Sequence, residues 1–295
     1  MSLSPKDAVL YPASLRDLCS DVDLIICDLW GVMHNGVSPY VAAIDAIKQA
    51  RASGVQTIFL SNAPRPRGHV RAHLIEMGVP QDIADNVVTS GGLARDHVRS
   101  EFEGCKLYHL GPETDFNTIE GLPVTVVQNP DDADVILATD LDFPRVESHR
   151  PWLAGAVSRG VPFLCANPDR VVHVGNKLFL CAGSVADLYA AMGGEVRWFG
   201  KPTVEAFHAC VAEVSLPLET VGERILMIGD SLQTDIAGAN AAEYRSLFIA
   251  SGIHRDKIPG LEKAVVNGGV LQQEFRKIFG AGKPFPYAVS NFLVW

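Results

Sequence analysis

The chain has 295 residues, 47% of them hydrophobic, and carries a formal net charge of −9 at pH 7. That composition is ample for a packed core, and the length, long for one domain, predicts two. The acidic balance argues against a nucleic-acid or anionic-membrane partner, because the long-range field repels phosphates, and no apolar run approaches the ~18–20 residues that span a bilayer.

The first apolar run, "VDLIICD" (22–28), is broken only by Asp23 and ends at Asp28, which predicts a buried parallel strand terminating in a carboxylate. Trp30, Gly31 and an Asn35-Gly36 hairpin turn follow. The amphipathic "VAAIDAIKQARASG" (41–54) predicts a helix stopped by Gly54, and "VQTIFLSN" (55–62) the next strand. A helix is expected over 69–79, then a strand, a glycine turn and a helix within "DNVVTSGGLARDHVRSEF" (85–102). "CKLYHLG" (105–111), "TVVQNPDDADVILATD" (125–140) and "VPFLCANPD" (161–169) continue the alternation. Helices are predicted over 183–194, 201–214 and 234–244, and strands over 223–230 and 245–252. The aromatic tail, 281–295, is expected to pack on the body. Alternation of this kind predicts an α/β fold with mostly parallel sheets.

The six cysteines are scattered and form no C-x-x-C pair, so neither zinc nor a disulfide framework is expected; they read as buried thiols of a cytoplasmic protein. The opening "MSLSPKDAVLYPASL" lacks the pattern of a secretory signal. No G-x-G-x-x-G follows a strand, and "GEVRWFGKPT" departs from a Walker loop in spacing and at Pro202.

In open α/β sheets ligands bind outside the carboxyl ends of the strands. Those ends deliver Asp28, then Ser61 and Asn62, then Asp230 with Asp235 five residues on, and Lys201 before a helix that Pro202 is expected to open. Three carboxylates at one sheet edge repel one another, and a hard cation with oxygen ligands, Mg²⁺ foremost, would offset the cost. A serine, a lysine and helix amides would hold a phosphate beside it, and an aspartate there can attack phosphorus.

These residues resemble the haloacid dehalogenase superfamily, and within it the NagD-like sugar phosphatases of subfamily IIA. "DLWGVMHNG" (28–36) stands where the family has D-x-D-G-V. "FLSNAPRP" (59–66), "GKP" (200–202) and "IGDSLQTDIAGA" (228–239) match its other three motifs. "VVTSGGLA", "CANPDR" and "CAGSVADLYAAMGG" are similar to the inserted cap of that group. The resemblance implies a Rossmann-like core with a mostly parallel sheet, residues 1–87 and 198–295, and an inserted C2-type α/β cap, residues 88–197. It implies Asp28 as nucleophile, and Mg²⁺ held by Asp28, Asp230, Asp235 and the backbone carbonyl of Trp30. Lys201 would balance charge, and Ser61 and Asn62 would bind the phosphoryl group. It also implies a small phosphorylated metabolite as substrate and a homodimer through the cap.

Trp30 replaces the family's general acid and base, and an indole N–H has no useful basicity. A phosphatase, a phosphotransferase and a nearly inert Mg²⁺- and phosphometabolite-binding protein therefore stay open. His34 is read either as a substitute acid or as a solvent-facing turn residue. Asn167 and Asp169 of "ANPD" either touch substrate from the cap or start a loop as an Asn-Pro-Asp turn. Arg65 and Arg67 read as anion contacts or a solvated face, His208 as packing, and Ser184 as a helix cap.

Overall fold

A computed structural model of the chain describes residues 9–174, 177–214, 216, 222–254 and 285–295. Its elements in chain order are β1 (Leu24–Cys27), α1 (Val41–Ala52), β2 (Gln56–Ser61), α2 (Arg67–Glu76), α3 (Gln81–Ala84), β3 (Val87–Thr89), α4 (Ser90–Glu101), β4 (Lys106–Leu110), β5 (Thr125–Val127) and β6 (Val135–Ala138). There follow α5 (Arg150–Arg159), β7 (Phe163–Cys165), β8 (Val171–Val174), β9 (Lys177–Leu180), α6 (Ala182–Ala191), β10 (Val196–Trp198), α7 (Val204–Glu213), β11 (Ile225–Gly229), α8 (Ala237–Ala241), β12 (Arg245–Ile249) and β13 (Ala288–Ser290). Two compact units result: Met1–Leu60 with Ile75–Asn86 and Phe207–Trp295, and Ser61–Leu74 with Val87–Ala206.

In the first unit, parallel strands run in the order β13-β12-β11-β1-β2. Every residue of β1 is fully buried, as a strand covered on both faces requires. Asp23, the polar break in that run, lies at the strand's amino end and pairs with Arg224 just before β11. The guanidinium's hydrogen bond holds the Asp23 carboxyl below its usual range. The aromatic tail packs on the body as expected, its β13 pairing with β12 in the register Phe248 to Val289.

The second unit contains a parallel sheet ordered β10-β7-β6-β4-β5 and an antiparallel hairpin, β8 with β9. Alternation along β6 serves both faces. Ile136 and Ala138 pack with Leu153 of α5 and Tyr189 of α6, whereas Val135 and Leu137 pack with Ala94 and Val98 of α4. The chain passes from β4 out to β5 and returns to β6 on the other side of β4, so the winding direction reverses between β4 and β6.

The α/β fold with mostly parallel sheets is as predicted, but several local expectations are corrected. The glycine turn after β3 is absent: Ser90, Gly91 and Gly92 open α4, capped by Thr89, whose Oγ1 accepts from Gly92 N at 2.9 Å. Pro202 does not open a helix; it follows a cis peptide bond and α7 starts at Val204. His208 is exposed rather than packed. Ser184 lies inside α6 and donates to Arg170 O at 2.8 Å. Residues 255–284, including the first part of the tail, lie outside the described residues. Among the described residues, no helix is long and apolar enough to cross a membrane.

Candidate active site

In the first unit, three carboxylates gather at the carboxyl ends of β1 and β11. Asp28 follows β1, and its amide donates to Ile228 O on β11 at 2.8 Å. Asp230 follows β11, and Asp235 sits in a π-helical turn, Leu232–Ile236, that leads into α8. One carboxylate oxygen from each lies within 4.8 Å of the others, and the three residues are 6%, 6% and 0% exposed.

The local backbone explains the convergence. In the wide turn, Ile236 N donates five residues back to Ser231 O at 3.1 Å, a geometry that recurs at functional sites. It folds Asp235 against Gly229, where an added Cβ would lie 2.2 Å from the Asp235 side chain. Ser231 N donates to Asp235 Oδ2 at 3.0 Å. Asp230 Oδ2 accepts from Ile253 N at 2.7 Å. A Cβ at Gly31 or Gly252 would fall 1.8 or 2.0 Å from that same oxygen, and Gly31 also has φ +76°. Gly31, Gly229, Gly252 and Ile253 therefore shape the site; of these the sequence reading named Gly31, without a role, and the only local signal for Gly229 and Gly252 was glycine at a turn or strand end.

Trp30 packs on its own loop. The indole meets the His34 ring edge-on at 5.1 Å, and a Cβ at Gly36 would sit 2.2 Å from the indole. His34 is 2% exposed, which overturns its reading as a solvent-facing residue. Its Nδ1 accepts from Gly36 N at 3.1 Å, so the proton of the neutral ring is on Nε2. The expected hairpin is instead a loop with isolated bridges, in which Asn35 Oδ1 accepts from Val37 N and Ser38 N.

The second unit holds the remaining candidates. Ser61, Asn62 and Lys201 are buried. Asn62 clasps the Lys201 main chain: Oδ1 accepts from Lys201 N at 2.8 Å and Nδ2 donates to Lys201 O at 3.1 Å. The same Nδ2 donates to Asp169 Oδ1 at 2.9 Å. The Asn167 Oδ1 is buried without a hydrogen-bond partner. Burial pushes the Cys165 thiol up to about 12, so it is a packing group and no nucleophile. Arg65 is neither an anion contact nor a solvated side chain. It bonds Asp115 at 2.6 Å, Thr114 O and Asn117 Oδ1, and clamps the segment after β4. Arg67 lies 3.8 Å from Asp96 on an exposed face. The candidates thus form two sets: Asp28, Trp30, Asp230 and Asp235 in one unit, and Ser61, Asn62, Asn167, Asp169 and Lys201 in the other.

Comparison with known proteins decides the family. Residues 25–124 match a family model described as haloacid dehalogenase-like hydrolase, and residues 198–267 match a HAD-hydrolase-like model. A crystal structure of a haloacid dehalogenase-like hydrolase from Brucella suis 1330 is 34% identical, with TM-score 0.78, over 96% of this chain and 100% of that one. The chain belongs to the haloacid dehalogenase-like family.

Within that family the chain is NagD-like. Ribonucleotide monophosphatase NagD from Escherichia coli K12 is 26% identical over 78% of this chain and 88% of that protein. D-glycerol 3-phosphate phosphatase from Mycobacterium tuberculosis is 27% identical over 81% of this chain, which spans only 66% of that relative's length. Glycerol phosphate phosphatase from the same organism, solved in complex with magnesium, aligns with TM-score 0.64 at 27% identity, over 80% of this chain and 70% of that one.

In this haloacid dehalogenase-like chain the donor set fits a hard divalent cation. The three candidate ligands are buried carboxylates, with no imidazole or thiolate among them, which suits Mg²⁺ or Ca²⁺ and not zinc.

Proposed function

We propose that this chain is a Mg²⁺-dependent phosphatase of a small phosphorylated metabolite, of the sugar-phosphate type, working through an aspartyl phosphate on Asp28. The observation that carries the reading is the buried trio Asp28, Asp230 and Asp235. Asp28 Oδ attacks phosphorus, and the bond from phosphorus to the ester oxygen breaks. The leaving alkoxide takes its proton from solvent, because the Trp30 indole N–H is far too weak an acid to supply it. Water then attacks the aspartyl phosphate, releasing phosphate and restoring the carboxylate. Mg²⁺ held by Asp28, Asp230, Asp235 and the Trp30 carbonyl would neutralise charge on the phosphoryl oxygens.

Ser61 and Asn62 hydrogen-bond the transferring group, and Lys201 balances its charge. Asn167 and Asp169 are read as the substrate side of the site, Asp169 also holding Asn62 in place. The division into a core of 1–87 and 198–295 and a cap of 88–197 belongs to the same reading. So do a cytoplasmic location, supported by free cysteines throughout, and a homodimer through the cap, supported by the exposed Leu178, Phe179 and Leu180 of β9.

The test is phosphate release from p-nitrophenyl phosphate, whose good leaving group needs no acid, and from a broad set of phosphometabolites. Steady release that requires both Mg²⁺ and Asp28, lost in Asp28→Asn, establishes the phosphatase. A single stoichiometric burst points to a phosphotransferase. No release from any ester favours a binding protein.

A further inference from the structure

The Asn-Pro-Asp loop between β7 and β8 is gripped through its carbonyls by the start of α6. Gly183 N donates to Asp169 O at 3.2 Å, and Cys181 N and Ser184 Oγ donate to Arg170 O at 3.0 and 2.8 Å. A Cβ at Gly183 would lie 2.5 Å from both Pro168 O and Asp169 O, so glycine is what lets the helix come this close. On the loop held in this way, the Asp169 carboxylate accepts from Asn62 Nδ2 at 2.9 Å, and Asn62 in turn clasps the Lys201 main chain. Gly200 completes the clasp: a Cβ there would lie 2.5 Å from Asn62 Oδ1.

Arg170 joins the parts of this arrangement. Its Nε and Nη2 donate to the two oxygens of Asp187 on α6, at 2.9 and 2.8 Å, and Nη1 donates to Pro168 O at 2.8 Å. The guanidinium carbon also lies 4.7 Å from the centre of the Trp198 ring, on the strand that leads through Gly200 to Lys201. The two charged side chains are 48% and 50% exposed, so the pair adds little to stability. What a two-pronged contact between guanidinium and carboxylate supplies is direction. One side chain thereby braces the loop that carries Asp169, the helix that grips this loop, and the strand that delivers Lys201. We infer that Arg170, oriented by Asp187, is a positioning residue that sets the Lys201 ammonium against the phosphoryl group by way of Asp169 and Asn62. The inference deepens the phosphatase reading and rests on it for the role of Lys201.

The experiment measures turnover of p-nitrophenyl phosphate with Mg²⁺ by Arg170→Gln, Arg170→Lys and Asp187→Ala. Displacing a transition-state contact by an ångström can cost ~10²-fold, so each variant should lower kcat by roughly tenfold while KM changes by less than about twofold. Arg170→Lys keeps the charge but loses the fork, and should not restore the rate. Arg159→Gln, which removes the likewise exposed pair with Asp131, should leave kcat unchanged. Melting temperatures should stay within about 4 °C of the unmodified chain. Because Arg170 acts through Asp169, the double variant Arg170→Gln with Asp169→Asn should be no slower than the slower single variant. Calorimetric titration gives an independent reading: Arg170→Gln should weaken binding of orthovanadate, which resembles the transition state, by about tenfold, and that of inorganic phosphate by less than about twofold. A chain that releases no phosphate would refute the phosphatase reading, and the vanadate titration would still decide the inference. Unchanged kcat and vanadate binding in Arg170→Gln, full rescue by Arg170→Lys, additive losses in the double variant, or an unmodified chain that binds no vanadate would overturn it.

Discussion

In the proposed phosphatase, Trp30 is the residue on which the rate turns. With no side chain there to protonate the alkoxide or activate water, the chain would forgo a term worth ~10²–10⁴-fold. Trp30→Asp should therefore accelerate hydrolysis of an alkyl phosphate by up to that factor and of p-nitrophenyl phosphate by much less; parallel kcat measurements on the two esters check this. A second prediction concerns Asp140, whose carboxyl is pushed up to about 6, chiefly by burial, with Asp115 and Asp142 adding to it. An unfolded carboxyl titrates near ~3.9, so the folded chain holds the proton more tightly. This contribution to stability is full below about pH 4 and is lost as pH rises through about 6. Screening reduces it to about 1 kcal/mol for a partly exposed group. Denaturation midpoints across that range should fall less steeply in Asp140→Asn.

At the scale of elements, Thr89 joins two segments. Its hydroxyl accepts from Gly92 N and donates to Arg65 O at 2.7 Å, so it caps α4 and ties the chain that follows β2. Thr89→Ala should cost ~1–2 kcal/mol, read as a shift in denaturant midpoint at unchanged slope. This cap also shows where sequence reading stopped. β1, β2 and β11 were legible because buried parallel strands are continuous apolar runs, and their ends delivered Asp28, Ser61 and Asp230. The Ser90-Gly91-Gly92 stretch looked like a turn because glycine usually marks one. Gly91 is in fact needed because a Cβ there would lie 2.3 Å from the Pro64 backbone, a contact set by tertiary structure alone. Helix α5 and the β8–β9 hairpin were not predicted: α5 has weak periodicity, and the exposed apolar residues of β9 imitate a buried run. The glycines around Asp230 and the clasp of Asn62 on Lys201 involve partners far apart in sequence, which no local pattern encodes.

For the whole molecule, a metal ion held by the carboxylate trio would make stability depend on that ion. Binding to the folded state alone adds RT ln(1 + [L]/Kd), about 2.7 kcal/mol at a hundredfold excess over Kd. Magnesium should raise the melting temperature in proportion to the logarithm of its concentration, a chelator should reverse the rise, and Asp235→Asn should abolish most of it. Scanning calorimetry at graded Mg²⁺ checks this, and a melting temperature indifferent to the ion would count against the trio as its site.

The central claim is that Asp28 takes the phosphoryl group. Acid quench of the chain turning over ³²P-labelled acetyl phosphate with Mg²⁺, followed by peptide mapping, tests it most directly. Because Trp30 activates water poorly, the account predicts that label accumulates on the peptide containing Asp28 and disappears in Asp28→Asn. Phosphate release undiminished in Asp28→Asn, with no label on that peptide, would contradict it.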